Sequence, residues 1–218
     1  MTYTVPMLGR RGLLSFAATA LVAATPWRPA AAEAADDAAA TAPIQQLDAA
    51  LLTAMKAGRS TPFTRRFAAL APVIDQTFDL DAVLAASVGL GWSAMPNDQQ
   101  ARLLATFRRY TVASYAANFD SYSGQTFQVS PAVRSVGKGE VVVATKLVPA
   151  DGSAIRLDYV MRSGQSGWKA VDVLADGSIS RVAVQRSDFR HLLASGGAAA
   201  LTVALQHKVA SLSEGVLA

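Results

Sequence analysis

The chain has 218 residues, 51% of them hydrophobic but only 7% aromatic, so its apolar content is largely small alanine and valine. That length supports one domain with a substantial core. It has no cysteine, which excludes disulfide frameworks and thiolate metal sites, and its two histidines, His191 and His207, leave little for a metal centre of another kind. The formal charge of +4 is concentrated at the start. Residues 1–32 hold Arg10, Arg11 and Arg28 and no acid, and the remainder carries 17 basic against 16 acidic residues, net +1. A nearly neutral body lacks the basic face that nucleic-acid binding needs, so no such partner is expected.

Residues 1–32 read as an export signal. Two arginines precede an apolar run from Leu13 to Ala24 that is too short to span a bilayer, and Ala30-Ala31-Ala32 supplies small residues for cleavage before Glu33. Arg10-Arg11 followed by Gly12, Leu13 and Leu14 resembles a twin-arginine signal; the alternative is an ordinary secretory signal. Residues 33–42 are small and polar without periodicity and read as a disordered leader, which makes Asp36 and Asp37 solvated linker acids.

Helical spacing begins at Ile44 and continues through Leu47, Leu51 and Met55 to a stop at Gly58. Thr61 followed by Pro62 looks like a cap with proline at the first helical position, and Phe63, Phe67 and Leu70 continue that helix until Pro72 interrupts or kinks it. Asp79 is placed to cap a third helix with Leu80, Val83 and Leu84 on its buried side and Gly89 and Gly91 at its end. Asn97 opens the longest predicted helix, whose stripe is Leu103, Leu104, Phe107, Tyr110, Thr111, Ser114 and Tyr115. The period then falls to two. Residues 126–134, 141–148, 153–162 and 168–174 read as strands, and their short glycine-containing links force strands two to four into an antiparallel meander. In the third strand Ile155, Leu157, Tyr159 and Met161 share the apolar face, while Arg156, Asp158, Val160 and Arg162 share a face expected to be mostly wet. Ser187 or Asp188 is expected to cap the helix containing Phe189. Gly196-Gly197 breaks it, and 201–212 form the last helix. The order predicts an α+β domain: an antiparallel curved sheet of about four strands covered by N- and C-terminal helices. Patterning leaves open whether the apolar face meets a solid core or a cavity.

Chemistry is sparse. Asp172 falls in phase with Trp168 and should be half-buried. Its predicted role is structural, with turn N–H groups, Ser178 or an arginine of the next helix as partners. Asp176-Gly177 reads as a turn in which glycine takes positive φ. Ser178, Asp188 and His191 are the ingredients of a hydrolase triad, but they lie in one short segment without a nucleophile elbow. His207 stands near a helix end, where positive charge is favourable. There is no glycine-rich phosphate loop. Arg102, Arg108 and Arg109 cluster on the long helix, as a solvated face or as a strip for anionic headgroups or a membrane complex.

The stretches FDLDAVL and VGLGW, FRRYTVASYAANFDSYSGQTFQV, LDYVMR, GWKAVDVLADGSISRV and RSDFRHLLASGG occur in this order. Together they resemble the MlaC, or toluene-tolerance, family of periplasmic lipid-binding proteins over Ile44 to Leu212. The AANFDSY, DVLADGSIS and RSDF segments are similar to its hopanoid-biosynthesis-associated HpnM-like branch. Ala175-Asp176-Gly177-Ser178 departs from the Glu-Gly-Val-Ser of many relatives, which puts strict phospholipid specificity in doubt. With the signal peptide read at 1–32 and the leader at 33–42, the resemblance makes 43–213 a lipid-binding domain. It implies a soluble, monomeric periplasmic carrier of an ABC-type lipid transport system, with no cofactor and no metal. The cargo would be phospholipid or hopanoid, and the partners an inner-membrane MCE/ABC complex and an outer-membrane lipoprotein complex. A cavity between sheet and helices would hide the lipid tails. Its lining would come from Val83, Leu84, Leu103, Phe107, Tyr110, Tyr115, Ile155, Leu157, Tyr159, Met161, Trp168 and Phe189, with Arg102, Arg108 and Arg109 for headgroup or docking contacts. Such a carrier is not an enzyme. The competing readings are an exported hydrolase using Ser178, Asp188 and His191, and a structural adaptor with a filled core.

Overall fold

The computed structural model describes residues 30–217, with side chains from Ala34 onward. The export signal read at 1–32 lies outside the described residues except for its last three. The first helix, α1, spans Ala30–Ala57 and ends where Gly58 turns left-handed at φ 64°. Residues 33–42 are therefore not a disordered leader but part of this helix. Alanine is the best helix former, and the segment gains tertiary contacts. Ala40 and Thr41 are buried, and Asp37 accepts a long hydrogen bond from the Val133 N–H.

Helix α2, Phe63–Thr77, begins after Pro62 and runs through Pro72 without interruption. Ala68, four residues before this proline, is exposed, so water can solvate the carbonyl that loses its donor, while Leu70, Ala71 and Ile74 anchor the other face. Arg66 is buried and donates to the Ala116 carbonyl at 2.6 Å, closing the last turn of the long helix described next. Helix α3, Leu80–Val88, is capped by Asp79, whose Oδ1 accepts from the Ala82 N–H, and gives way to a 3₁₀ turn at Gly89–Gly91. Helix α4 covers Asn97–Asn118.

The sheet has six strands: β1 Thr126–Val129, β2 Arg134–Gly137, β3 Glu140–Val148, β4 Ile155–Gly164, β5 Gly167–Ala175 and β6 Ile179–Ser180. The order is β1-β3-β4-β5-β6, all antiparallel, and β2 also pairs with β3. The single strand expected at 126–134 is thus two short ones sharing one edge of β3. Pro131 cannot donate to a ladder, and the chain leaves the sheet around it. Helix α5, Arg181–Leu212, follows β6 directly and is kinked at Gly196 and Gly197. Its start lies six residues before Ser187, the earlier of the two expected caps. Ser180 is the cap, accepting from the Ala183 N–H at 2.9 Å.

The face of α1 that carries Ile44, Leu47 and Leu51 packs into one core with Val143, Tyr159 and Met161 of the sheet. Leu84 of α3, Leu103 and Phe107 of α4, and Leu201 and Leu205 of α5 continue that core. The opposite face of β4 is not wholly wet, because Asp158 is fully buried there and held by Arg156 at 2.6–3.1 Å. Gly177 lies against that guanidinium. A Cβ on it would stand 2.6 Å from Arg156 Nε. The Asp176-Gly177 turn therefore closes over an ion pair.

Candidate ligand cavity

Between α3, α4, the first turns of α5 and the central strands lies a cavity of about 410 Å³. Phe78, which bridges to Ala170 of β5, and Leu80 and Val83 of α3 form one side. Phe107, Tyr110, Tyr115 and Phe119 come from α4 and its end, Leu157 and Tyr159 from β4, and Val173 and Ala175 from β5. The aromatic rings form a connected wall: Tyr115 stacks on Phe119 at 5.8 Å between centroids, and Phe78 lies tilted 5.8 Å from Tyr115 and 6.2 Å from Tyr159.

A bulge in β5 builds this wall. The register slips between Val160 and Met161, so Ala170 opposes Met161 while Asp172 opposes Val160. Val173 and Ala175 then oppose Tyr159 and Leu157 on the cavity face. Trp168, which opposes Ser163, is out of phase with Asp172, contrary to simple alternation. The Asp172 carboxylate accepts from the Val173 N–H at 2.7 Å, the Val182 N–H at 3.0 Å and the Ser180 hydroxyl. It holds the entry to α5, the structural role read from the sequence, through Ser180 rather than Ser178.

Of the twelve residues expected to line a cavity, Val83, Phe107, Tyr110, Tyr115, Leu157 and Tyr159 do so. Leu84, Leu103, Met161 and Phe189 are sealed in the surrounding core. Trp168 packs against that core away from the cavity, and Ile155 is 48% exposed at the start of β4. None of the three arginines reaches the cavity. Arg108 grips Asp75 of α2 with two nitrogens, one at 2.6 Å, and so clamps α2 to α4. Arg102 pairs with Asp98 one turn back, and Arg109 donates to the Leu217 carbonyl at 2.8 Å.

The sequence reading missed Phe78, Phe119 and Arg181, which sit at or beside helix ends where periodicity carries no signal. It also missed Asp48. This acid is buried on the apolar face of α1, four residues after Ile44 and three before Leu51, and neither carboxylate oxygen has a hydrogen-bond partner. Burial pushes its pKa up to about 7. Its charge is felt by Tyr115 and Tyr159, whose hydrogen-bonded phenols are themselves raised by burial. An acid at helical spacing inside an apolar stripe was the signal available.

No hydrogen bond among the described residues links Ser178, Asp188 and His191, and the last two are exposed on α5. Among the described residues no group of three or more His, Asp or Glu side chains is placed to hold a metal ion, and no helix is long and apolar enough to cross a membrane.

An α+β domain that walls an apolar cavity between an open antiparallel sheet and its helices is a ligand-binding architecture. The family model described as MlaC protein matches residues 45–207, and the chain belongs to that family. Its fold is similar to that of a solved phospholipid-binding protein from Ralstonia solanacearum in complex with a phospholipid. The TM-score is 0.68 and the identity 22%, over 80% of this chain and 98% of that one.

Proposed function

We propose that this protein is a soluble periplasmic lipid carrier that moves phospholipid or hopanoid between inner- and outer-membrane complexes of an ABC-type transport system. The observation that carries the reading is the aromatic and aliphatic cavity between sheet and helices, in a chain of the MlaC family. Each exposed CH₂ costs about 0.8 kcal/mol, so a lipid free in water is prohibitive, whereas an apolar cavity replaces membrane with protein at small net cost. The Ralstonia solanacearum protein, bound to a phospholipid on the same fold, supports a lipid as cargo. The segments similar to the HpnM-like branch keep hopanoid as a candidate. At about 410 Å³ the cavity stands near the low end of the roughly 300–1,000 Å³ typical of ligand sites, so a two-tailed lipid would spread the helices from the sheet. The exposed Arg102 and Arg109 would face membrane or partner complexes, while Arg108 serves the α2–α4 clamp. Transfer of a fluorescent phospholipid between donor and acceptor vesicles tests the carrier role. The protein should accelerate transfer in proportion to its concentration, and a rate equal to that of vesicles alone would overturn it.

A further inference from the structure

Among the described residues, only two cavity-lining side chains carry a full charge, Asp172 and Arg181, and their situations differ. Asp172 is satisfied by three donors around the start of α5. Arg181 has no hydrogen bond or ion pair among the described residues. Arg181 lines the cavity and is exposed to solvent, which places its guanidinium at the cavity mouth. Helix stability does not account for an arginine here. It is the first residue of α5, where a cation opposes the helix dipole, and the first turn carries no acid to pair with it. The amides of Val182 and Ala183 are already taken by Asp172 and Ser180, so the backbone is not the anion seat.

Two further donors stand on the same cavity wall. Gln185, one turn along α5, lies 3.0 Å from the Ser87 hydroxyl, whose one proton is already given to the Val83 carbonyl at 2.8 Å, so at least one of its amide N–H groups makes no bond among the described residues. Asn118, the last residue of α4, is exposed and makes no side-chain hydrogen bond among the described residues. The cavity thus joins an aromatic interior to three unused donors, one of them cationic.

We propose that Arg181, supported by Gln185 and Asn118, seats the phosphodiester of a phospholipid headgroup while the tails occupy the aromatic interior. This rests on the lipid-carrier reading and narrows it, since the seat favours a phosphate-bearing lipid over an uncharged one of the same apolar bulk. Guanidinium and phosphate oxygens make charge-assisted, forked hydrogen bonds, and lysine substitutes only as a point charge.

The test uses vesicles of dioleoylphosphatidylglycerol containing a minor fraction of dioleoylglycerol, which has the same tails without the phosphate. The protein is incubated with them and reisolated, and both lipids are quantified in the protein fraction. Because both come from one vesicle, any change in attraction to its anionic surface cancels in their ratio. The wild type should enrich phosphatidylglycerol over dioleoylglycerol. Arg181→Gln should lower that enrichment about fivefold or more while keeping dioleoylglycerol capture, and Arg181→Lys should restore part of it. An unchanged ratio in Arg181→Gln overturns the seat and leaves the carrier reading intact, as does equal loss of both lipids. A wild type that captures neither lipid overturns the carrier reading and the seat together. Displacement of phosphatidylglycerol by inorganic phosphate, at matched ionic strength, would show a free-phosphate site and overturn the lipid assignment.

Discussion

Asp48 shares the face of α1 with Ile44, Leu47 and Leu51, and it is the only side chain among the described residues with buried polar atoms that lack a partner. Its pKa is raised from 3.8 to about 7, so between these values the folded protein holds a proton that the unfolded chain has released. The Asp48 contribution is therefore fully retained below about pH 4, falls as pH rises toward 7, and levels off above it. The change is roughly 4 kcal/mol, about 3 pKa units at about 1.4 kcal/mol each. Asp48→Asn keeps the shape without the titration. Denaturant unfolding should show the variant close to wild type near pH 3 and clearly more stable at pH 8; parallel pH profiles would refute the assignment. A second residue-scale test concerns Gly177, at φ 73° with no room for a Cβ beside Arg156. Gly177→Ala should cost roughly 1–2 kcal/mol from backbone conformation alone, with a further loss as the guanidinium is pushed off buried Asp158. A loss no larger than this backbone cost would show that Arg156 relocates freely, and a midpoint equal to wild type would refute both contributions. The turn glycine was legible because its dipeptide carries a steric requirement. Asp48 left only the signal of an acid at helical spacing inside an apolar stripe, and Arg181 left none, because its importance lies in what other elements bring beside it.

Among the elements, α5 depends most on a single backbone position. Gly197 adopts φ 62°, ψ −154°, a region open only to glycine, and the helix resumes beyond it with Ala198, Leu201, Leu205 and Val209 buried. Gly197→Ala should lower stability by about 1–3 kcal/mol in thermal or denaturant unfolding, whereas an unchanged midpoint would mean that the kink is dispensable. The Gly-Gly break was readable in the sequence, as were the Asp79 cap, the β3–β4–β5 meander and α4. Each is set by local sterics or by a period sustained over many residues. The start of α5 was hidden because Val182 and Val184 alternate like a strand, while its cap is completed by Asp172 from a neighbouring strand. The β5 bulge was hidden for a related reason: alternation locates a strand but not the point at which pairing slips.

For the whole molecule, the order of elements predicted the α+β architecture, but strand alternation could not separate a filled core from a cavity, since both require the same apolar face. Leu157 stands on that face and lines the cavity, and Val173 and Tyr159 lie beside it. Leu157→Trp should fold with a near-normal midpoint in lipid-free form and carry less lipid. In a solid core the same overpacking would cost about 1–3 kcal/mol.

Native mass spectrometry of the exported protein, purified without detergent, tests the central claim most directly. The carrier account predicts a second population heavier than the polypeptide by the mass of one lipid, a phospholipid if the Arg181 seat is correct, with that population reduced in Leu157→Trp. A single species at the polypeptide mass, unchanged after incubation with phospholipid vesicles, would contradict it.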